Sequence, residues 1–198
     1  MGSDVGCQTA FAPAATCRLF LALLPPPALQ EQVRALQQEF VVRFASRAAL
    51  RSPPHITLVP PFEWPGSEWS ALIGSLQIFA AGQDSIAIEL SGFGAFAPRV
   101  IYIHVDPSEK LQQLQSGVQA HLLPLLNPKN PSTRPRPFVP HMTVAFRDLT
   151  PHQFRAAWPE FQSRQFQASF WAADLTLLQH DGRQWQVTEQ FSLVSGSG

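Results

Sequence analysis

Hydrophobic positions recur along the chain with two alternating periods. Residues 18–24 form a short apolar run that predicts a buried strand. A helix is predicted over about 28–46, where aliphatic and aromatic residues recur at helical spacing among Gln, Glu and Arg. The order strand, helix, strand, helix, strand then occurs twice, and the second cycle begins at about residue 100. This pattern predicts an α+β protein built by internal duplication.

The boundaries of the other elements follow from local signals. Helices are predicted to start at N-caps formed by Ser67, Asp106 and Thr150, and Asp181-Gly182 predicts a hairpin turn. The remaining predicted strands cover 85–90, 100–105, 166–170, 175–178 and 184–193.

Two stretches present the same order of side chains, Pro54-His55-Ile56-Thr57-Leu58 and Pro140-His141-Met142-Thr143-Val144. Each predicts a strand entered from a proline. Because side chains alternate across a strand, the His and Thr of each stretch share one face, and the aliphatic residues share the other. If the duplication relates the two strands by a pseudo-two-fold axis, both His-Thr pairs face one central cleft.

Composition narrows the classes of function. The chain has 198 residues, and 14 basic side chains balance 14 acidic ones, so a broad electrostatic footprint for nucleic acid is excluded and any RNA contact should be local. No apolar run is long enough for a membrane span, and Pro25-Pro26-Pro27 ends the run that precedes it. Two cysteines without nearby metal-type partners indicate neither a zinc site nor a disulfide framework, which favours a cytoplasmic location. We expect flexible ends over 1–16 and 195–198, and one functional unit over 17–194.

The paired His-x-Thr motifs resemble the 2H phosphoesterase superfamily, in particular its 2′-5′ RNA ligase and RNA 2′,3′-cyclic phosphodiesterase branch. The similarity extends over about 18–193, and Phe138-Val139-Pro140 also resembles the usual approach to the second motif. It implies an α+β fold of two pseudo-symmetric lobes, each a mainly antiparallel sheet with helices on its outer face, around a central cleft. One departure is that many relatives place Arg three residues after the second Thr, where this chain has Phe146 followed by Arg147.

The resemblance implies metal-independent hydrolysis of 2′,3′-cyclic phosphate ends of RNA or nucleotides to 2′-phosphomonoesters. His55 and His141 would be the catalytic acid and base, in an order that the sequence leaves open, because an imidazole titrates near neutral pH and serves either role. Thr57 and Thr143 would donate hydrogen bonds to the phosphate oxygens. No cofactor and no metal are expected, since no cluster of residues has metal-ligand spacing.

Two alternatives stay open. The same chemistry can run as 2′-5′ joining of RNA ends or as cleavage of 2′-5′ linked oligonucleotides. A non-catalytic RNA or nucleotide binder with this fold is the alternative from another class, although binding alone requires no second imidazole. A binder would saturate with ligand without forming product.

Further substrate contacts are predicted at Arg136, Arg147, Tyr102 and Phe62. Arg136 lies in the proline-rich loop before the second motif, and strand alternation would place Arg147 on the face of His141. Phe62 is a candidate to stack on a base, and its alternative is a core position. The expected partner is an RNA end or nucleotide with a cyclic phosphate, bound by a monomer away from any membrane.

Overall fold

The fold predicted from the sequence is confirmed as an α+β arrangement of one antiparallel sheet and four helices within the described residues. The structure, a computed structural model, describes residues 16–126 and 137–195. The elements are β1 (Thr16–Leu23), α1 (Pro27–Phe44), β2 (Ile56–Pro65), α2 (Trp69–Ala80), β3 (Ile86–Phe96), β4 (Val100–Val105), α3 (Glu109–Leu122), β5 (His141–Ala145), α4 (Pro151–Ser163), β6 (Gln167–Ala172), β7 (Asp174–His180) and β8 (Trp185–Ser192). In this described part, every helix is too short or too polar to cross a membrane.

The two lobes are halves of a single eight-stranded sheet with the order β6-β3-β4-β5-β2-β1-β7-β8. The halves meet at a seam between β5 and β2, where Met142 pairs with Ile56. The chain does not fill one half and then the other. The half that carries His55 combines β1 and β2 with the late strands β7 and β8, whereas β3 crosses into the half that carries His141.

Two helices link these halves by packing against strands of the opposite half. α1, which leaves β1, packs against β5 of the other half, and α3, which leaves β4, packs against β2. Two glutamines fix the crossings, since Gln37 Nε2 donates to the Thr143 carbonyl at 3.1 Å and Gln115 Nε2 donates to the Leu58 carbonyl at 3.2 Å. α1 and α3 therefore each pack across the seam, and Gln37 of α1 also lines the cavity described below.

Strand alternation in the two motifs is as predicted. Ile56, Leu58, Met142 and Val144 are all buried in the core, while the His and Thr residues between them are half-buried. Burial of these aliphatic side chains is worth roughly 1.5–3 kcal/mol each. A one-residue slip would forfeit that burial and turn the imidazoles into the core, so the register is strongly determined.

Several boundaries differ from the sequence prediction, most clearly that of β3, which is predicted to end at residue 90 and continues to Phe96. Two of the other differences have identifiable reasons. The sequence predicts that β2 ends at Pro60-Pro61, but the strand continues to Pro65, because the register with β1 shifts between the Leu19–Phe62 and Leu21–Val59 pairs. The two prolines fall in this bulge, where a missing backbone donor is tolerated. α1 ends at Phe44 because Ala45 adopts a left-handed conformation with φ 52°.

One of the three predicted helix caps is present. Thr150 forms a reciprocal capping box with Gln153 at the start of α4. For α3 the cap is Ser108, which accepts from the Leu111 amide, because the Asp106 carboxylate instead accepts from the Ser91 hydroxyl at 2.6 Å. Ser67 lies in a short 3-10 turn before α2 and makes no cap hydrogen bond.

Candidate active site

The seam brings the two motifs together in a crossed arrangement. Since Ile56 and Met142 are opposed in an antiparallel pair, His55 lies across from Thr143, and Thr57 lies across from His141. All four side chains line one cavity of about 300 Å³. The imidazole of each motif is therefore combined with the hydroxyl of the other motif.

Both imidazoles are held by the same local hydrogen bond. His55 Nδ1 lies 2.7 Å from the Pro53 carbonyl, and His141 Nδ1 lies 2.7 Å from the Val139 carbonyl. A carbonyl can only accept, so Nδ1 carries the proton in each ring. The neutral tautomer then leaves Nε2 unprotonated and able to take a proton.

Aromatic side chains from nearby strands pack against each histidine. Phe20 of β1 packs on His55 with 4.8 Å between ring centroids. His141 packs against Tyr102 at 5.1 Å and meets Phe96 edge-on at 5.0 Å. Tyr102 is buried, and burial raises the pKa of its hydroxyl, so it stays neutral.

The position of Tyr102 depends on a glycine across the strand pair. Gly94 of β3 is the partner of Tyr102, and a Cβ built on Gly94 would collide with the phenol ring. Glycine here permits the close approach that lets Tyr102 lie beside His141.

The environment lowers the pKa of both histidines but to different extents. The pKa of His55 is lowered to about 4, mainly by burial and also by the nearby charge of protonated His141, while the Pro53 carbonyl opposes the change. Burial also lowers the pKa of His141, against the Val139 carbonyl. At neutral pH both imidazoles are therefore favoured in the neutral form. An anion between them would reverse this trend, because opposite charge stabilises a protonated ring.

The cavity includes some of the other predicted contacts and omits others. Arg147 lines it, although not for the predicted reason, since β5 ends at Ala145 and Arg147 has φ 62°. Its guanidinium lies 5.3 Å from the Phe146 ring centroid. Tyr102 contacts His141 from beside the cavity. Arg136 lies outside the described residues.

The prediction that Phe62 contacts substrate is wrong. Its side chain is 1% exposed and belongs to the hydrophobic core under β2, because it follows the bulge and points to the helix side of the sheet. Trp64, the other aromatic residue after the first motif, is buried as well, and its indole N–H donates to the Glu68 carbonyl.

Several cavity residues lie outside the two motifs and are not predicted from the sequence. They come from segments that lie far from both motifs or just outside them: Gln37, Arg51, Ser52, Phe96, His180 and Trp185. His180 lies at the end of a predicted hairpin, and a solvated side chain is expected there. In the structure its ring packs edge-on against Trp185, with 4.9 Å between the ring centroids. Arg51 and Ser52 shortly precede His55, and this proximity is the one sequence clue to their role.

Three histidines, His55, His141 and His180, line this cavity, but residues 16–126 and 137–195 contain no cluster arranged as a metal site. No group of three or more His, Cys, Asp or Glu side chains there is placed to hold an ion.

Comparisons with known proteins agree with this geometry. A model of the 2′-5′ RNA ligase superfamily matches residues 25–184. Two relatives share the name "Putative phosphoesterase". The one from Geobacillus sp. (strain WCH70) is 29% identical over 180 residues, 89% of this chain and 95% of its own. The one from Bacillus pumilus (strain SAFR-032) is 30% identical over 127 residues, 63% of this chain and 67% of its own.

Two solved structures share the fold. TT0787 of Thermus thermophilus is 21% identical, has a TM-score of 0.67, and is matched over 90% of this chain and 98% of its own. Escherichia coli LigT complexed with 3′-AMP is also 21% identical, has a TM-score of 0.65, and is matched over 90% of this chain and 99% of its own. With the superfamily match covering most of the chain and two His-x-Thr motifs meeting in one cavity, this protein belongs to the 2′-5′ RNA ligase superfamily and is a phosphoesterase of the 2H type.

Proposed function

We propose that this phosphoesterase hydrolyses 2′,3′-cyclic phosphates at RNA ends or on nucleotides, without a metal ion, to give 2′-phosphomonoesters. The observation that carries the proposal is the pair of imidazoles in one cavity, each with Nδ1 tied to a backbone carbonyl and Nε2 left for chemistry. A cyclic phosphodiester needs one base for the attacking water and one acid for the leaving oxygen, and two histidines supply both.

The proposed step is an in-line displacement at phosphorus. Neutral His55 takes a proton from water while the water oxygen bonds to phosphorus, and the bond from phosphorus to the 3′ oxygen breaks. Protonated His141 gives its proton to that leaving oxygen. The assignment rests on His55, because burial is the main cause that lowers its pKa to about 4 and so keeps this ring neutral.

Two hydroxyls complete the proposed site. Thr57 and Thr143 lie across from the imidazoles, where they donate to the non-bridging oxygens as charge builds there. Arg147 and Arg51 line the same cavity and supply positive charge for the phosphate. The choice of the 3′ oxygen as leaving group rests on the family, and LigT with 3′-AMP shows that a protein of this fold binds a nucleoside monophosphate.

The test is incubation of the protein with the four nucleoside 2′,3′-cyclic phosphates in EDTA, followed by phosphorus NMR of the products. We expect turnover of at least one substrate to a single 2′-phosphate. A single 3′-phosphate would overturn the regiochemistry and keep the mechanism. Binding without product over hours would indicate a non-catalytic binder, and turnover that EDTA abolishes and a divalent ion restores would overturn the two-histidine mechanism.

A further inference from the structure

A second and larger depression, here called the side groove, adjoins the catalytic cavity. Its volume is about 850 Å³, compared with about 300 Å³ for the cavity. The residues of the side groove that bear on the argument are Arg34, Arg51, Ser52, Trp171, Asp174 and Trp185. Arg51, Ser52 and Trp185 also line the catalytic cavity, so the two spaces share a wall.

The volumes of the two spaces differ, and each space suits a different part of a substrate. A space of about 300 Å³ is at the lower limit for a small-ligand pocket, which suits a single terminal nucleotide. The side groove has nearly three times that volume and begins where the catalytic cavity ends. A ligand that continues beyond its terminal phosphate group therefore has a path across Arg51 and Ser52.

The charges of the side groove suit a polyanion. Arg34 on α1 and Arg51 are exposed, and neither forms an ion pair with any of the described residues. The one carboxylate among the described residues that line it, Asp174, accepts a hydrogen bond from the Ser192 hydroxyl at 3.0 Å. Two guanidinium groups without an ion pair in the described structure provide the local phosphate contact that a chain of zero net charge otherwise lacks.

The aromatic residues of the side groove suit unpaired bases. Trp171 on β6 is 65% exposed and lies outside the hydrophobic clusters of the described core. Trp185 forms the shared wall and is fixed by an edge-on contact with Phe20 at 4.6 Å. Single-stranded RNA is recognised by such stacking surfaces combined with backbone cations.

We propose that the side groove binds the RNA strand on the 5′ side of the terminal cyclic phosphate, so that the preferred substrate is an oligonucleotide end and not a mononucleotide. This inference rests on the proposed function, because it assumes that the phosphate lies between the two histidines. The strand leaves the catalytic cavity past Arg51, its backbone meets Arg34, and one of its bases stacks on Trp171.

The first test compares kcat/KM for a mononucleoside 2′,3′-cyclic phosphate with that for a tetranucleotide ending in the same group. We expect the tetranucleotide to be preferred by on the order of tenfold or more, since each stacked base contributes at about that level. Trp171→Ala and Arg34→Ala should remove most of the preference and leave mononucleotide hydrolysis unchanged. Arg155→Ala is the matched control, because Arg155 is exposed on α4 and lines neither space. Equal kcat/KM for the two substrates, or equal losses on both in the variants, would overturn the proposal.

The second test separates the side groove from catalysis. Fluorescence anisotropy measures binding of a 5′-labelled RNA tetranucleotide with a 3′-terminal phosphate to wild type and variants over a range of salt concentrations. Arg34→Ala should weaken binding and reduce the salt slope by about one, whereas Trp171→Ala should weaken binding at an unchanged slope. If RNA binds in this way but no cyclic phosphate is hydrolysed, only the proposed function fails. If cyclic mononucleotides are hydrolysed but neither variant changes RNA binding, only the side-groove proposal fails.

Discussion

The two halves of the sheet carry the same motif but surround its histidine differently. His55 precedes a ten-residue strand, packs on Phe20, and has a pKa of about 4. His141 begins a five-residue strand and packs against Tyr102 and Phe96. Duplication thus provides two imidazoles, whereas unequal burial makes one of them easier to keep neutral. A symmetric site would give both rings the same proton affinity, whereas the lowered pKa of His55 marks it as the ring that stays neutral.

This asymmetry does not come from the backbone supports, which match. Each ring has Nδ1 on the carbonyl two residues earlier, and each half is braced by a glutamine from the opposite helix. It comes from the wall of the cavity. Next to His55, Phe20 packs on the imidazole, and Trp185 at the start of β8 packs on Phe20.

The largest expected effect is on the rate when either ring is removed. His55→Ala and His141→Ala should each lower kcat by about 10²–10⁴-fold on a cyclic phosphate. The comparison is sharpened by bis(p-nitrophenyl) phosphate, whose leaving group departs without a proton. With this substrate, the kcat of His141→Ala should come close to that of wild type, whereas the kcat of His55→Ala should stay low. Recovery in His55→Ala instead would reverse the assignment of acid and base.

The next effect is acid destabilisation caused by His55. Its folded-state pKa of about 4 lies below the ordinary value of 6.5, so the unfolded chain binds more protons between these pH values. Stability should therefore fall as pH decreases from about 6.5 to about 4, by on the order of 3 kcal/mol. Urea unfolding at several pH values measures the decrease. His55→Gln should reduce it, and His152→Gln on the exposed side of α4 should not. An identical pH dependence in wild type and His55→Gln would contradict the pKa.

Loss of a single hydroxyl should have a smaller effect. Thr57→Val and Thr143→Val keep the shape of the side chain and remove one hydrogen bond to a charged phosphate, which corresponds to on the order of tenfold in kcat. Thr188→Val on β8, whose hydroxyl bonds the Gln186 carbonyl, is the control and should retain full activity. Since the hydroxyls lie crosswise to the imidazoles, the two variants should lose similar amounts. Full activity in both would remove the hydroxyls from the mechanism.

The smallest expected effect is a displacement of the pH profile. With one acid and one base, the rate should depend on pH as a bell-shaped curve. The curve for kcat/KM reports the free enzyme and should have its maximum below pH 6.5, because the pKa of each histidine is lowered. The curve for kcat should have its maximum at higher pH, because the bound phosphate anion raises the pKa of both histidines. Initial rates at saturating and at low substrate concentration give the two profiles. Coincident profiles would show that the bound phosphate does not lie between the rings.

Local sequence determined the elements and the pairing of functional groups. Alternation in the two motifs set which side chains face the core, and the Thr150 capping box set the start of α4. Both signals act within a few residues, where sterics and backbone hydrogen bonding decide the outcome. The fold class, the superfamily and the facing imidazoles and hydroxyls could be predicted for that reason.

Tertiary structure decided what surrounds those groups. Only the sheet order sends β3 across to the half of His141 and returns β7 and β8 to that of His55. Only packing buries Phe62 while it brings Trp185 to the cavity. These outcomes depend on contacts between residues far apart in the chain, for which neither composition nor periodicity carries a signal. The sequence therefore specified the two histidines, and long-range packing made their proton affinities unequal.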